Sequence, residues 1–149
     1  MKDIYNYQFL SEKLSSSGMP TAEQMKAVAE AGTQVVINLV SVTVRDALPN
    51  EDTLVESLGM KYVHIPVNWN NPIRQNLDDF FHAMDEYKDE KVLVHCQANN
   101  RASSFVMLYR VLRLNWKKED AMPVMEKMWN PEDFPVWQKF IDNILHNGA

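Results

Sequence analysis

Short apolar runs alternate with amphipathic segments between Pro20 and Cys96, and this alternation restricts the possible folds more than any other feature of the chain. The run from Gln34 to Val40 is rich in β-branched residues, which is typical of a strand buried on both faces. The predicted strands are 34–40, 62–67 and 92–94, and the predicted helices are 22–31, 51–58, 77–87, 101–114, 118–129 and 133–146. Strand-helix-strand units with short connections imply parallel neighbouring strands and right-handed crossovers. The sequence therefore predicts an α/β layered fold.

Local signals mark several of the predicted helix ends. Thr21 and Gln24 have the spacing of a capping box at the start of the first helix. Gly32 follows that helix and is predicted to stop it, because glycine adopts the left-handed conformation that ends many helices. Gly59 is predicted to stop the second helix in the same way.

Length and charge narrow the class of protein. The 149 residues are expected to form a single domain, 1–149, since a chain of this length can bury most of its apolar surface. The net charge of -5 argues against nucleic acid or an anionic membrane as a partner, because both bind basic surfaces. No stretch has the pattern of a signal peptide or a membrane span. The oligomeric state is left open.

The chain has one cysteine, Cys96, which cannot form an intramolecular disulfide. A free thiol is typical of a reducing compartment, so the cytoplasm is expected, and the periplasm only if a leader has been removed. No metal site or cofactor is predicted, because the four histidines lack ligand spacing; they are His64, His82, His95 and His146.

The carboxyl ends of the predicted strands should meet at one edge of the sheet, where open α/β folds usually bind ligands. Three loops should converge there: 40–50 with Arg45, 68–76 with Trp69 and Arg74, and 96–100 closed by Arg101. Trp69 could face a substrate ring or anchor its own loop.

The segment KVLVHCQANNRASS places Cys96 between a strand and a helix that opens near Arg101. A helix N-terminus and a nearby cation both stabilise a thiolate, the nucleophilic form of cysteine. The intervening residues are Gln97, Ala98, Asn99 and Asn100, and their amides can curl around an oxyanion while Arg101 contacts two of its oxygens. A cysteine near a buried strand is also commonly a small core residue, but this loop and Arg101 favour an anion site. His95 could tune the thiolate or bond within the core.

The stretch HCQANNRAS resembles the phosphate-binding loop of the cysteine-dependent protein phosphatase superfamily. The common pattern has five residues between cysteine and arginine, whereas this chain has the four just named. That spacing resembles a bacterial phosphatase-like family of unknown function, related to the beta-lactamase-hydrolase-like phosphatases. The stretches SSSGMPTAEQ, AGTQVVINL and YVHIPVNWNNP agree with it, so the resemblance covers about 11–114.

This resemblance implies a three-layer sandwich with a small, mostly parallel sheet between helices, as in dual-specificity phosphatases. It also implies a phosphomonoester hydrolase that acts on a phosphorylated substrate without a cofactor. Cys96 would form a cysteinyl-phosphate, Arg101 would clamp the phosphate, and the amides of 97–101 would cradle phosphate or sulfate.

The chain departs from the family pattern at two places. The loop has no glycine, and Asn99 and Asn100 are predicted to substitute for it, since asparagine tolerates left-handed geometry. Asn68 stands where the superfamily usually has an aspartic acid that protonates the leaving oxygen. Other acids near the predicted site are Asp46, Asp52, Asp78 and Asp79, which solvated helix faces also explain. Ser103 could assist thiolate departure or simply cap the helix.

Two alternatives to the hydrolase stay open at this point. A rhodanese-like sulfurtransferase can also carry four residues between its cysteine and a basic residue, and it would form a persulfide on Cys96. A protein that binds phosphate without turnover would fit the missing acid at Asn68.

Overall fold

The structure is a computed structural model that describes residues 3–41 and 47–147. The strands in this part of the chain are β1 Gln8–Ser11, β2 Leu14–Ser17, β3 Val35–Asn38, β4 Lys61–His64 and β5 Val92–His95. The helices are α1 Ala22–Glu30, α2 Glu51–Ser57, α3 Arg74–Glu86, α4 Asn100–Leu112, α5 Lys118–Glu126 and α6 Pro135–Asn147, with a 3₁₀ turn at Pro131–Asp133. None of these helices has the length and hydropathy to cross a bilayer.

The strands form one sheet in the order β1-β2-β5-β3-β4. All neighbouring pairs are parallel except β1 and β2, which run antiparallel. Side chains of strand β3 alternate between the two faces: Val36 belongs to an apolar cluster with Met25 of α1 and Val55 of α2. Val35 and Ile37 belong to a second cluster that includes residues of α3, α4, α5 and α6. The predicted three-layer, mostly parallel α/β sandwich is confirmed.

Ser17, His95, Asn38 and His64 lie in register across four parallel strands, and each is the last residue of its strand. This row marks the carboxyl edge of the sheet. The segments that follow β5 and β3 leave the sheet side by side at this edge, which places the loop after His95 next to Ser41.

The predicted helix ends are confirmed at the capping signals. Thr21 accepts a hydrogen bond from the Gln24 amide, at 3.1 Å, and the Gln24 side chain accepts one from the Thr21 amide, at 2.9 Å. Gly32 and Gly59 both have positive φ, at 93° and 84°, so each takes the left-handed geometry that stops its helix.

The N-terminal hairpin of β1 and β2 was not predicted. Its second strand reads LSSS, which lacks the apolar pattern of a buried strand, although Ser16 and Ser17 are fully buried. The second crossover also differs from prediction, because β4 and β5 are not neighbours and both pair with β3. The strand predicted at 62–67 ends at His64, and the helix predicted from Leu77 begins at Arg74.

Candidate active site

Cys96 lies directly between the end of β5 and the loop that leads into α4, and its side chain is buried, at 1% exposure. The amide of Ala102, in the first turn of α4, donates to the Cys96 sulfur at 3.5 Å. The positive end of the helix therefore faces the sulfur.

Asn99 gives the loop its sharp turn. Its backbone is left-handed, with φ of 69°, whereas Asn100 is already the first residue of α4. The Asn99 side chain is buried and donates to the carbonyl of Asn6 at 2.8 Å and the hydroxyl of Ser16 at 3.0 Å. Asn99 thus takes the left-handed geometry predicted for this loop and also ties the loop to the N-terminal segment, whereas Asn100 does not have positive φ.

The outer side of the loop is bonded to the N-terminal segment. The Gln97 carbonyl accepts from the Met19 amide at 3.0 Å, and the Ala98 carbonyl accepts from the Asn6 side chain at 2.9 Å. The amides of Gln97, Ala98, Asn100 and Arg101 have no acceptor within 3–41 and 47–147. Unpaired amides near a helix start bind anions, so this loop can cradle an oxyanion.

Gly18 allows the N-terminal segment to approach this loop. A Cβ at this position would lie 2.7 Å from the Gln97 carbonyl oxygen and 2.9 Å from the Tyr5 carbonyl oxygen. Gly18→Ala should therefore destabilise the fold by about 1–3 kcal/mol and weaken sulfate binding, because the backbone of the loop must move. Urea unfolding and sulfate titration measure the two effects.

Gly32→Ala is the matched control, since Gly32 has positive φ but no atom within 4 Å of the added carbon. It should lose stability through backbone strain alone and bind sulfate like the wild type. Equal sulfate affinity in Gly18→Ala and wild type would contradict the role assigned to the close contact.

Arg101 is the buried cation of the site, at 4% exposure. One guanidinium nitrogen donates to the Val67 carbonyl at 2.8 Å. The ion pairs within the described part of the chain do not include Arg101. A buried guanidinium has five N–H donors and a full charge, so this position is suited to an external anion.

A cavity of about 360 Å³ opens at this edge of the sheet. Its lining residues are Ser41, Asn68, Trp69, Asn70, Cys96, Gln97, Ala98, Asn100 and Arg101. The structure thus brings together Cys96, Arg101, most of the predicted loop, Asn68 and Trp69, and adds Ser41 and Asn70. Asn99 is not a lining residue, and its side chain bonds to the N-terminal segment on the other side of the loop. No described residue of this lining carries a carboxylate.

Trp69 borders the cavity and anchors its own loop, which is the second of the two interpretations given above. It is one of the lining residues, and its ring stacks on that of Trp137 with a centroid separation of 5.3 Å. The indole N–H of Trp137 donates to the Trp69 carbonyl at 2.7 Å, which anchors the loop. The adjacent Asn68 is exposed, and its side-chain oxygen accepts from the Asn70 amide at 2.9 Å.

Arg74, also predicted as a supporting residue, lies outside the cavity lining. It is exposed on α3 and pairs with Asp78 at 3.7 Å, because α3 begins at Arg74 and places these residues one turn apart. Asp79 accepts from the side chain of Gln75 at 2.7 Å. Arg45 and Asp46 lie outside the described residues.

The hydroxyls that follow Arg101 bond within α4. Ser103 donates to the Asn100 carbonyl at 3.2 Å, and Ser104 donates to the same carbonyl at 2.8 Å. Ser104 also accepts from the indole of Trp129 at 3.0 Å. In this arrangement both serines support the helix start, and neither hydroxyl donates to Cys96.

Sequence reasoning missed Glu51. His95 is fully buried, and its Nε2 lies 2.6 Å from a carboxylate oxygen of Glu51, the first residue of α2. Its Nδ1 lies 3.2 Å from the Cys96 carbonyl oxygen. No sequence signal separates Glu51 from the exposed Asp52 beside it, so the contact emerges only from the packing of α2 on the sheet.

A family described as "DSP-PTPase phosphatase fused to NAD+ Kinase" matches residues 6–138. Among solved structures, a DUF442 protein of Shewanella putrefaciens CN-32, named as a proposed phosphatase, is 38% identical with a TM-score of 0.90. The match covers 99% of this chain and 96% of that chain. No curated protein matches.

More distant structures share the fold. TpbA of P. aeruginosa, crystallised as a variant in complex with pTyr, is 14% identical with a TM-score of 0.70, over 95% of this chain and 91% of that chain. The catalytic core of the PP-IP phosphatase SIW14 of S. cerevisiae, in complex with citrate, is 17% identical with a TM-score of 0.75. That match covers 93% of this chain and 85% of the SIW14 chain.

Proposed function

The chain belongs to the family described as DSP-PTPase phosphatase fused to NAD+ kinase, and from this membership we propose that it hydrolyses phosphomonoesters through a cysteinyl-phosphate on Cys96. The buried guanidinium of Arg101, which has no carboxylate partner among the described residues, carries the proposal. It lines the same cavity as Cys96 and the unpaired loop amides. Residues 1–149 would form one phosphatase-like domain.

In the first step, the Cys96 thiolate attacks phosphorus, an S–P bond forms, and the bond from phosphorus to the leaving oxygen breaks. Arg101 and the loop amides bind the equatorial oxygens, where charge is concentrated in the transition state. In the second step, water attacks the cysteinyl-phosphate, the S–P bond breaks, and inorganic phosphate leaves. The Ala102 amide stabilises the thiolate before the first step and after the second. No metal ion takes part.

Hydrolysis of p-nitrophenyl phosphate in the presence of EDTA, with inhibition by vanadate, is the direct test. A phosphatase of this kind should hydrolyse p-nitrophenyl phosphate without a metal ion. It should also bind vanadate as an analogue of the trigonal transition state. Sulfate binding without turnover would indicate a binding protein, and persulfide formation from thiosulfate would indicate a sulfurtransferase. Either result would overturn the proposal.

The substrate that the cavity favours is an aryl phosphate. Trp69 provides an aromatic wall, and no described lining residue can donate a carboxyl proton. A general acid contributes about 10²- to 10⁴-fold, most for basic leaving groups. Phenolates can depart unprotonated, so this site should hydrolyse aryl phosphates far better than alkyl phosphates. The complex of TpbA with pTyr is compatible with this preference.

Asn68→Asp tests the missing acid. The new carboxyl should raise hydrolysis of alkyl phosphates by about tenfold or more, and that of p-nitrophenyl phosphate much less, because only the alkoxide needs a proton. Asn70→Asp adds the same charge to the same cavity and serves as the matched control. The measurement is kcat/KM for a series of phosphate esters with different leaving-group pKa.

A flat leaving-group dependence in the wild type would show that another acid already donates the proton. Equal gains in Asn68→Asp and Asn70→Asp would point to a general effect of charge. Either outcome would refute the assignment of Asn68 as the position of a missing acid.

A further inference from the structure

Glu51 is the one buried acidic residue in the described part of the chain, and it contacts His95, the residue before the proposed nucleophile. Its side chain is buried, at 4% exposure, in contact with His95, which is at 0%. Burial of a carboxylate is unfavourable unless a hydrogen-bonded partner compensates for the lost hydration. The contact of 2.6 Å with His95 Nε2 provides that compensation.

His95 links Glu51 to the Cys96 backbone. The two ring nitrogens face two acceptors, the Glu51 carboxylate at 2.6 Å and the Cys96 carbonyl oxygen at 3.2 Å. A carbonyl oxygen can only accept, so the contact with Cys96 is favourable when Nδ1 carries a hydrogen. The Glu51 carboxylate lies against the other ring nitrogen, so the two contacts together hold the imidazole in one orientation beside the Cys96 backbone.

The second carboxylate oxygen of Glu51 faces Asn38. The Asn38 side-chain nitrogen lies 3.4 Å from Glu51 and 3.0 Å from the Tyr62 hydroxyl, and its oxygen accepts from the Val40 amide at 2.8 Å. Burial, with a smaller contribution from Glu51, raises the pKa of Tyr62 to about 12, so this phenol stays neutral. Glu51 is thus held at both oxygens by residues of the sheet edge.

We propose that Glu51 is a positioning residue that acts through His95 to orient Cys96 and keep its sulfur reactive. The proposal rests on the proposed function, in which Cys96 is the nucleophile. It assigns a role in the reaction to α2, a helix that does not contribute to the lining of the phosphate cavity in the described part of the chain.

Glu51→Gln tests this role because it preserves the shape of the side chain and removes the charge. The rate of Cys96 alkylation by iodoacetamide at neutral pH should fall about 10- to 100-fold, by analogy with the loss of a carboxylate that orients a metal-ligating histidine. The kcat for p-nitrophenyl phosphate should fall to a similar extent. The KM and the sulfate affinity should stay within about twofold, since Arg101 and the loop amides are unchanged.

Glu56→Gln is the matched control, because Glu56 lies on the same helix and is exposed. Alkylation of Cys96 and hydrolysis of p-nitrophenyl phosphate should proceed in this variant at the wild-type rates. The effects of Glu51→Gln and His95→Asn on the alkylation rate should be non-additive, because both act through one link. The double variant should be alkylated no more slowly than His95→Asn alone. Additive losses would overturn the proposal.

An unchanged rate of Cys96 alkylation in Glu51→Gln would also overturn the proposal. A parallel loss of sulfate binding and thermal stability would overturn it too, because that result indicates a purely structural role. If Glu51→Gln does not fold, unchanged alkylation in His95→Asn refutes the link instead. Alkylation needs no turnover, so the two proposals can fail separately. A protein that hydrolyses no phosphate ester but shows the expected alkylation rates would refute the proposed function alone.

Discussion

Cys96→Ser should abolish phosphatase turnover and leave oxyanion binding intact. A serine hydroxyl is far less acidic than a thiol, and a contact with the Ala102 amide cannot make it an effective nucleophile. The expected loss in kcat is about 10⁴-fold or more, as for removal of other catalytic nucleophiles. Arg101 and the loop amides do not change, so sulfate should bind with nearly wild-type affinity.

Two measurements separate these effects. Turnover of p-nitrophenyl phosphate reports the chemistry, and quenching of tryptophan fluorescence on sulfate addition reports binding, because Trp69 lines the cavity. Ser104→Ala is a useful comparison, since it also changes a buried residue near the loop. The Ser104 hydroxyl bonds to Asn100 and Trp129, not to a substrate. Retained turnover in Cys96→Ser would place the nucleophile elsewhere in the chain.

The features that the sequence predicted well depend on local interactions. The capping box at Thr21 and the stop at Gly32 involve only nearby residues, and both are observed. The strand that ends at His95 and the helix that starts near Arg101 follow from an apolar run and a change of period, so the loop between them could be predicted from a short segment.

The features that were missed depend on pairing between distant segments. β2 is polar in sequence, and its place beside β5 is determined by parallel pairing with a strand far along the chain. The same pairing brings Gly18 and Asn6 against the loop. The contact of Glu51 with His95 likewise requires the packing of α2 on the sheet, and no periodicity in the sequence encodes it.

Asn68 and Arg74 show why loop residues are difficult to assign. Both were predicted in one loop, yet Asn68 reaches the cavity and Arg74 pairs with Asp78 on the solvent side of α3. The earlier start of α3 accounts for the difference, because it converts Arg74 from a loop residue into the first residue of a helix. Helix boundaries are the least predictable part of an element.

Arg101→Lys should be nearly as damaging as Arg101→Ala. The guanidinium donates one N–H to the Val67 carbonyl at 2.8 Å, which fixes its plane and leaves the remaining donors for phosphoryl oxygens. An ammonium keeps the charge but loses the planar fork, so it cannot hold Val67 and two phosphoryl oxygens in the same geometry. Both variants should lose about 3 kcal/mol or more of transition-state stabilisation, measured as kcat/KM for p-nitrophenyl phosphate.

Arg113→Lys provides the matched control, because Arg113 lies at the C-terminal end of α4 and pairs with Asp85 at 2.6 Å, with its side chain 44% exposed. A surface ion pair of this kind contributes about 0–1 kcal/mol to stability and none to the site, so activity should be retained. If Arg101→Lys restores most of the activity lost in Arg101→Ala, the site requires only a positive charge. The fixed fork held by Val67 would then have no part in transition-state binding, and the geometric basis of the clamp would be wrong.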